Sequence, residues 1–202
     1  MTLPNINIRL ADSGDIPSIA RIIREVSEGV VDFLFEGVVP GVSSEAIVEL
    51  AFTQNMSPYA LEHVLLIEVE AKVTALAFIY DAQKQEIPLI MTSFISHSRL
   101  EAVKALLTAK VDEALWVNTL WVSPQYRGMG LSGLLMKAIE TKAHELGFSC
   151  IALHCWADNT RALSFYQKMG FNCEGQILVE GDLRESHPQS GLLLVKTLSK
   201  SS

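Results

Sequence analysis

A chain of 202 residues with 49% hydrophobic side chains can bury a substantial core, and no apolar run in it is long enough to cross a bilayer. A net charge of −7 disfavours nonspecific nucleic-acid binding, which draws on clustered Lys and Arg, and favours a cationic partner. Cys150, Cys155 and Cys173 form no Cys-x-x-Cys pair and the histidines show no ligand spacing, so neither a disulfide frame nor a metal centre is expected.

The start, Met1-Thr2-Leu3-Pro4-Asn5, lacks the basic cluster and apolar stretch of a secretory signal, and a cytoplasmic location is expected. Residues 6–10 read as a short first strand. Asp15 is placed to cap a helix with Pro17 in its first turn and Ile16, Ile19, Ala20 and Ile23 on one apolar stripe. A looser segment, 27–40, precedes a second helix over 45–53 with Ser44 as its cap. Residues 63–68 and 73–80 flank Glu70-Ala71-Lys72 as a hairpin.

Residues 81–113 form a long connection. Within it Ser98-Arg99-Leu100-Glu101 has capping-box spacing, and Leu100, Val103, Leu107 and Val111 make the apolar stripe of an inserted helix. A strand over 115–122 leads through a glycine-rich turn into a helix over 131–146, with Leu131, Leu134, Leu135, Ala138 and Leu146 facing inward and Gly147 ending it. Residues 150–155 are the next strand, and 160–169 a short helix stopped by Gly170. Two last strands cover 176–180 and 192–197. No repeat or low-complexity linker divides the chain, so one domain over 1–202 is expected.

The chemistry concentrates in Leu120-Trp121-Val122-Ser123-Pro124-Gln125-Tyr126-Arg127-Gly128-Met129-Gly130-Leu131-Ser132. At a strand–turn–helix junction, successive backbone N–H groups converge and the helix N-terminus adds partial positive charge, which makes a site for phosphate or pyrophosphate. Gly128 and Gly130 leave their amides unshielded. Three patterns compete for this stretch. A P-loop needs Lys and then Ser or Thr after its last glycine, where Leu131 and Ser132 stand. Gly128 to Gly133 is a literal G-x-G-x-x-G, but five residues separate it from the strand and too little chain follows for a dinucleotide fold. The third pattern, Q/R-x-x-G-x-G/A, is met by Gln125, Gly128 and Gly130. Downstream, the segment from Asn159 to Phe171 fits N-x-x-A-x-x-F-Y-x-x-x-G-F in full.

With both motifs in order and joined by one helix and one strand, the chain resembles the GNAT superfamily of acyl-CoA-dependent N-acetyltransferases. The resemblance implies an α/β (α+β) fold. Its central sheet is mixed and mostly antiparallel, flanked by helices, here with a helical insertion before the fourth strand. It implies acetyl-CoA as cosubstrate and an amine of a small molecule or protein as acceptor; the apolar composition is compatible with a monomer or a homodimer. Main-chain groups of Leu120, Trp121 and Val122 would pair with the pantetheine, and Asn159 would add a hydrogen bond from the opposite wall. Gln125, Tyr126, Arg127, Gly128, Met129, Gly130, Leu131 and Ser132 would hold the pyrophosphate. Tyr166 would be the acid that protonates the departing sulfur, and a phenol of pKa about 10 suits a thiol leaving group.

The family's usual general-base glutamate falls on Asn118, whose amide cannot take a proton. Asp112, Glu113, Glu36 and His154 stay open as substitutes. No Ser-His-Asp set or activated cysteine is visible, which points to direct transfer without a covalent enzyme intermediate. The residues also leave room for an acyl-CoA-binding module without catalysis; Tyr166 favours the enzyme and Asn118 the module. The inserted helix either packs over the sheet or shapes the acceptor pocket.

Overall fold

The computed structural model describes residues 5–87 and 92–199; the expectations on residues 1–4 and 88–91 lie outside that range. Seven strands are described: β1 (Ile6–Leu10), β2 (Val64–Val69), β3 (Lys72–Asp81), β4 (Ala114–Val122), β5 (Cys150–Trp156), β6 (Asn172–Ile177) and β7 (Gly191–Thr197). They form one sheet in the order β1-β2-β3-β4-β5-β7-β6, antiparallel throughout except for β4 with β5. The two-residue turn Glu70-Ala71 joins β2 to β3 with both residues at positive φ, 52° and 61°, the twist that suits a tight hairpin.

Side chains alternate across the sheet, and both faces are covered. On β3, Leu76, Phe78 and Tyr80 enter one core, while Ala75, Ala77 and Ile79 enter the other. That two-sided burial is why residues 75–80 read as a continuous apolar run. One face carries α1 (Ile16–Val26), α2 (Val30–Phe35), α3 (Ser44–Thr53) and α4 (His97–Thr108), packed through Ile19, Phe52, Val103 and Trp116. The other carries α5 (Leu131–Glu145) and α6 (Thr160–Lys168), packed through Leu135, Ile139, Ile151 and Phe171. A last short helix, α7 (Asp182–Ser186), precedes β7.

Two irregularities in register open the sheet. Phe78 pairs with Thr119 but Ile79 pairs with Val117, so Asn118 is the extra residue of a β-bulge in β4. The β4–β5 ladder covers only Ala114 to Trp116 against Cys150 to Ala152. Beyond it β4 keeps β3 and β5 keeps β7 as far as Trp156, so the two strands part company. The sheet is a V with its closed end at residues 114–116.

Several expected boundaries move. Ser43, not Ser44, caps α3 by accepting the Ala46 N–H at 3.1 Å; Ser44 is buried and donates to Asp32. Asp15 makes no cap for α1 because its carboxylate is held by Arg9 at 2.7 Å. The segment 27–40 is not wholly loose, since α2 lies within it. In the inserted connection the cap is Ser96, two residues early, and Leu106 completes the buried stripe with Leu100 and Val103 while Leu107 and Val111 are only partly buried. On α5 the buried face is Leu131, Leu135, Met136, Ile139 and Ala143; Leu134 and Ala138 are half-buried. Leu146 is 56% exposed because the helix has already ended there. The strand expected at 176–180 is β6 at 172–177, drawn forward by its pairing with β7 from Asn172 onward.

Candidate active site

The open end of the V holds two connected spaces. An outer cleft of about 650 Å³ lies on the side of the glycine-rich turn, α5 and α6. An inner cavity of about 180 Å³ reaches toward α1, α2 and α4. Val26, Glu28, Leu120, Asn159, Ala162 and Tyr166 line both and mark the junction.

After Val122 the chain makes one short 3-10 turn, Pro124–Tyr126, and then passes Gly128 (φ 80°) and Gly130 (φ 84°) into α5, with Gly130 as the N-cap. Both glycines sit where an L side chain is strained, so the turn requires them for its conformation. The first amides of a helix have no partner in their own helix. A Cβ built on Gly128 meets nothing within 4 Å and would stand in open space at the cleft. Tyr126, Arg127, Gly128, Leu131 and Ser132 line the cleft together with Leu120, Trp121 and Val122. Gln125, Met129 and Gly130 line neither space; Gln125 and Met129 are exposed on the turn's outer side.

Arg127 arches back to donate from Nε to the Val122 carbonyl at 3.2 Å. Arg161 and Lys168 of α6 join it in the cleft lining, two cations that the sequence reading did not single out. A chain of net charge −7 thus gathers three basic side chains where the amide-rich turn opens, with Glu25 and Glu28 also in the cleft lining. That combination fits a polyanionic group such as a pyrophosphate.

Tyr166 is 9% exposed and rests edge-on against Phe165 and Phe171, each with ring centroids 5.4 Å away. Burial, and then the neighbouring Cys155, push its phenol well above the ordinary value of 10, so the hydroxyl keeps its proton. None of its neighbours among the described residues hydrogen-bonds that hydroxyl. It is a neutral donor lining both spaces. The proton is held more tightly than a simple match of phenol and thiol would suggest.

Asn118 is committed elsewhere. Thr119 donates to its Oδ1 at 3.0 Å, and its Nδ2 donates to Tyr80 at 3.1 Å. Tyr80 donates to Gln85 at 2.6 Å, and Gln85 donates to the Leu106 carbonyl at 3.2 Å. This chain ties the bulge to the inserted helix α4, which also lines the inner cavity directly through Leu106 and Leu107.

Of the substitute bases left open by the sequence, only His154 lines either space. Its Nδ1 is buried without a partner, and burial pulls its pKa down to about 4, so the ring is neutral near pH 7. Asp112 and Glu113 stand at the closed end of the V, beside the start of β4, and Glu36 is tied through its carbonyl to Arg99 at 2.9 Å.

The acidic group at the junction is Glu28, which sequence reasoning missed. Its Oε1 accepts from Asn159 Nδ2 at 2.9 Å, while Asn159 Oδ1 caps α6 by accepting the Ala162 N–H at 3.1 Å. His187 clamps the same loop from below. Its Nε2 meets the Glu28 carbonyl at 3.1 Å, its Nδ1 meets Asp158 at 3.1 Å, and its ring stacks on Trp156 at 3.9 Å. Glu28, Asp158 and His187 bring ligand-type atoms within 4.8 Å of one another, but both ring nitrogens of His187 are already engaged. The cluster therefore works as a hydrogen-bonded clamp.

Residues 93–171 match the model of the Acetyltransferase (GNAT) family. Over 46 residues the chain is 44% identical to "Uncharacterized N-acetyltransferase YdgE" of Bacillus subtilis (strain 168), a match that takes in 23% of this chain and 29% of that protein. Among solved structures, an N-acetyltransferase from Staphylococcus aureus Mu50 superposes with a TM-score of 0.68 at 21% identity, over 95% of this chain and all of the other. The spermidine N-acetyltransferase from Vibrio cholerae, solved with CoA and spermine, gives 0.58 at 15% identity over 96% of each chain. At such identities the superpositions speak for the fold. The glycine turn and the Asn159–Phe171 segment, and so both motifs, fall inside the range matched by that family model. In its fold and in residues 93–171 the chain is similar to GNAT acetyltransferases.

Proposed function

We propose that this protein is an N-acetyltransferase that moves an acetyl group from acetyl-CoA directly to a primary amine of a small molecule or protein. The observation that carries the reading is the neutral hydroxyl of Tyr166, unpartnered among the described residues, at the junction of the outer cleft and the inner cavity. The amides of Tyr126, Arg127, Gly128, Leu131 and Ser132, with the Arg127 side chain, would hold the pyrophosphate, and the edge of Leu120, Trp121 and Val122 that faces away from β3 would pair with the pantetheine. Asn159 would contribute its second amide hydrogen from the opposite wall.

The reaction consumes an ammonium and a thioester and yields an amide, a thiol and one free proton. The nitrogen loses a proton to solvent and attacks the thioester carbon, the carbon–sulfur bond breaks, and the Tyr166 hydroxyl donates to the departing sulfur. Because burial holds the phenolic proton tightly, the hydroxyl works first as a preorganised hydrogen-bond donor to developing negative charge. The proton shed by the product nitrogen leaves the phenol protonated at the end of the cycle. Cys155 lines the inner cavity, but burial pushes its thiol up to about 12, which suits direct transfer and not a thiolate nucleophile.

We further propose one domain and a cytoplasmic location, as a monomer or homodimer without a nucleic-acid partner. Among the described residues, no helix is long and apolar enough to cross a membrane. A second reading, an acyl-CoA-binding module without catalysis, rests on Asn118, whose amide is locked in the Tyr80–Thr119 network.

Thermal unfolding with acetyl-CoA, and with NAD as control, tests the cofactor assignment. Ligand at about a hundred times Kd stabilises a fold by roughly 2.7 kcal/mol. A rise in Tm with acetyl-CoA alone supports the reading. A rise with NAD alone overturns it. Stabilisation by acetyl-CoA without transfer to any amine would leave the binding module.

A further inference from the structure

The inner cavity has a one-sided charge pattern. Of its lining among the described residues, Glu28 is the sole carboxylate and none is Lys or Arg; His154 is held neutral. Glu28 sits at the junction beside Tyr166, while the wall beyond mixes apolar Ile23, Val31, Leu34 and Leu106 with the neutral polar side chains of Gln85 and Thr119. The space of about 180 Å³ is well below the few hundred Å³ typical of sites for drug-sized ligands.

These features restrict what can be acetylated there. An α-amino acid would bring a carboxylate into an uncharged wall with no cation to meet it, and an unpaired buried charge is expensive. A polyamine would bring a second ammonium into a wall that holds no second acid. An amine with one charge and a compact apolar body satisfies both ends: its nitrogen reaches Glu28 at the junction and its body fills the cavity. From the proposed acetyl transfer, on which this step rests, we infer that the acceptor is a small aliphatic or arylalkyl monoamine whose ammonium is bound by the Glu28 carboxylate. Asn159 holds that carboxylate, and His187 fixes the Glu28 main chain through its carbonyl.

The proton balance is unchanged by this assignment. Glu28 pairs with the ammonium, one proton leaves to water at the open mouth, and the neutral nitrogen is left beside the thioester.

The test measures CoA thiol release from acetyl-CoA with phenethylamine and hexylamine, against spermidine, glutamate and a short peptide with a free N-terminus. Phenethylamine or hexylamine is expected to exceed the other three in kcat/KM by about tenfold or more. Glu28→Gln, which keeps the acceptor oxygen for Asn159 and removes the charge, is expected to raise the amine KM about tenfold and leave the acetyl-CoA-induced Tm shift unchanged. Spermidine, glutamate or the peptide matching the monoamines would overturn the inference, as would an unchanged amine KM in the variant. Silence of both monoamines while acetyl-CoA still stabilises the fold would overturn it too, with the cofactor assignment intact. Absence of any acetyl-CoA stabilisation would instead overturn the transferase reading and the inference with it.

Discussion

Asn159 and Glu28 lie 131 positions apart in the chain and meet at 2.9 Å across the open end of the V. The amide of Asn159 serves two structures at once: its oxygen caps α6 and its nitrogen holds the carboxylate that lines both spaces. Asn159→Ala is therefore expected to lower stability by about 1 kcal/mol through the lost cap. It should also raise the amine KM, because Glu28 loses its brace. Urea unfolding and steady-state kinetics on one preparation check both effects. A stability loss with unchanged KM would confine Asn159 to capping.

Gly128 and Gly130 separate two functions of the turn. Both have positive φ, so alanine at either is expected to cost about 1 kcal/mol in conformational strain. Only Gly128 lines the cleft, where the added methyl would occupy open space. Gly128→Ala should weaken the acetyl-CoA-induced Tm shift and Gly130→Ala should leave it nearly whole. Equal losses in the two variants would contradict this division.

His154 makes stability depend on pH with a definite sign. Burial lowers its pKa from 6.5 to about 4. Between those values the unfolded chain binds a proton that the native ring refuses, so native stability is full above 6.5 and is lost as pH falls toward 4. One edge of the ring opens on the cavity and is solvated there, so the loss is about 1–2 kcal/mol and not the ~3 of the whole shift. His154→Phe keeps a ring and removes the titration. Urea unfolding of both proteins at about pH 7.5 and about pH 5 should show a smaller loss in the variant. The same loss in both would contradict the assignment.

The thiols should divide cleanly. Cys150 and Cys155 are buried with raised pKa, and Cys173 is exposed. Alkylation with iodoacetamide, read by intact mass, is expected to add one group to the native protein and three after unfolding. Rapid native modification of Cys155 would reopen covalent catalysis.

What the sequence made legible was what is local. The strands β3, β4 and β5 stand out because burial on both faces writes long apolar runs, and the glycine turn and Tyr166 fall within short contiguous patterns. Caps slipped by one or two residues where serines stand close together, Ser43 with Ser44 and Ser96 with Ser98. The helix α2 escaped notice because six residues, Val-Val-Asp-Phe-Leu-Phe, show less than two turns of pattern. The strand β6 was misplaced because it is an edge, mostly exposed, with Asn, Glu and Gln in its run. Glu28 carried no local sign of its role. It is assigned only by contacts with residues 131 and 159 positions away, and nothing in Ser27-Glu28-Gly29 foretells them.

The most direct test of acetyl transfer at this junction is Tyr166→Phe, assayed for turnover and for acetyl-CoA binding together. The ring's packing against Phe165 and Phe171 survives the change, and only the unpartnered hydroxyl is lost. A fall in kcat of about a hundredfold or more, with the acetyl-CoA-induced Tm shift unchanged, is the expected result. Turnover within a few-fold of the parent protein would contradict the role assigned to Tyr166 and with it the proposed mechanism.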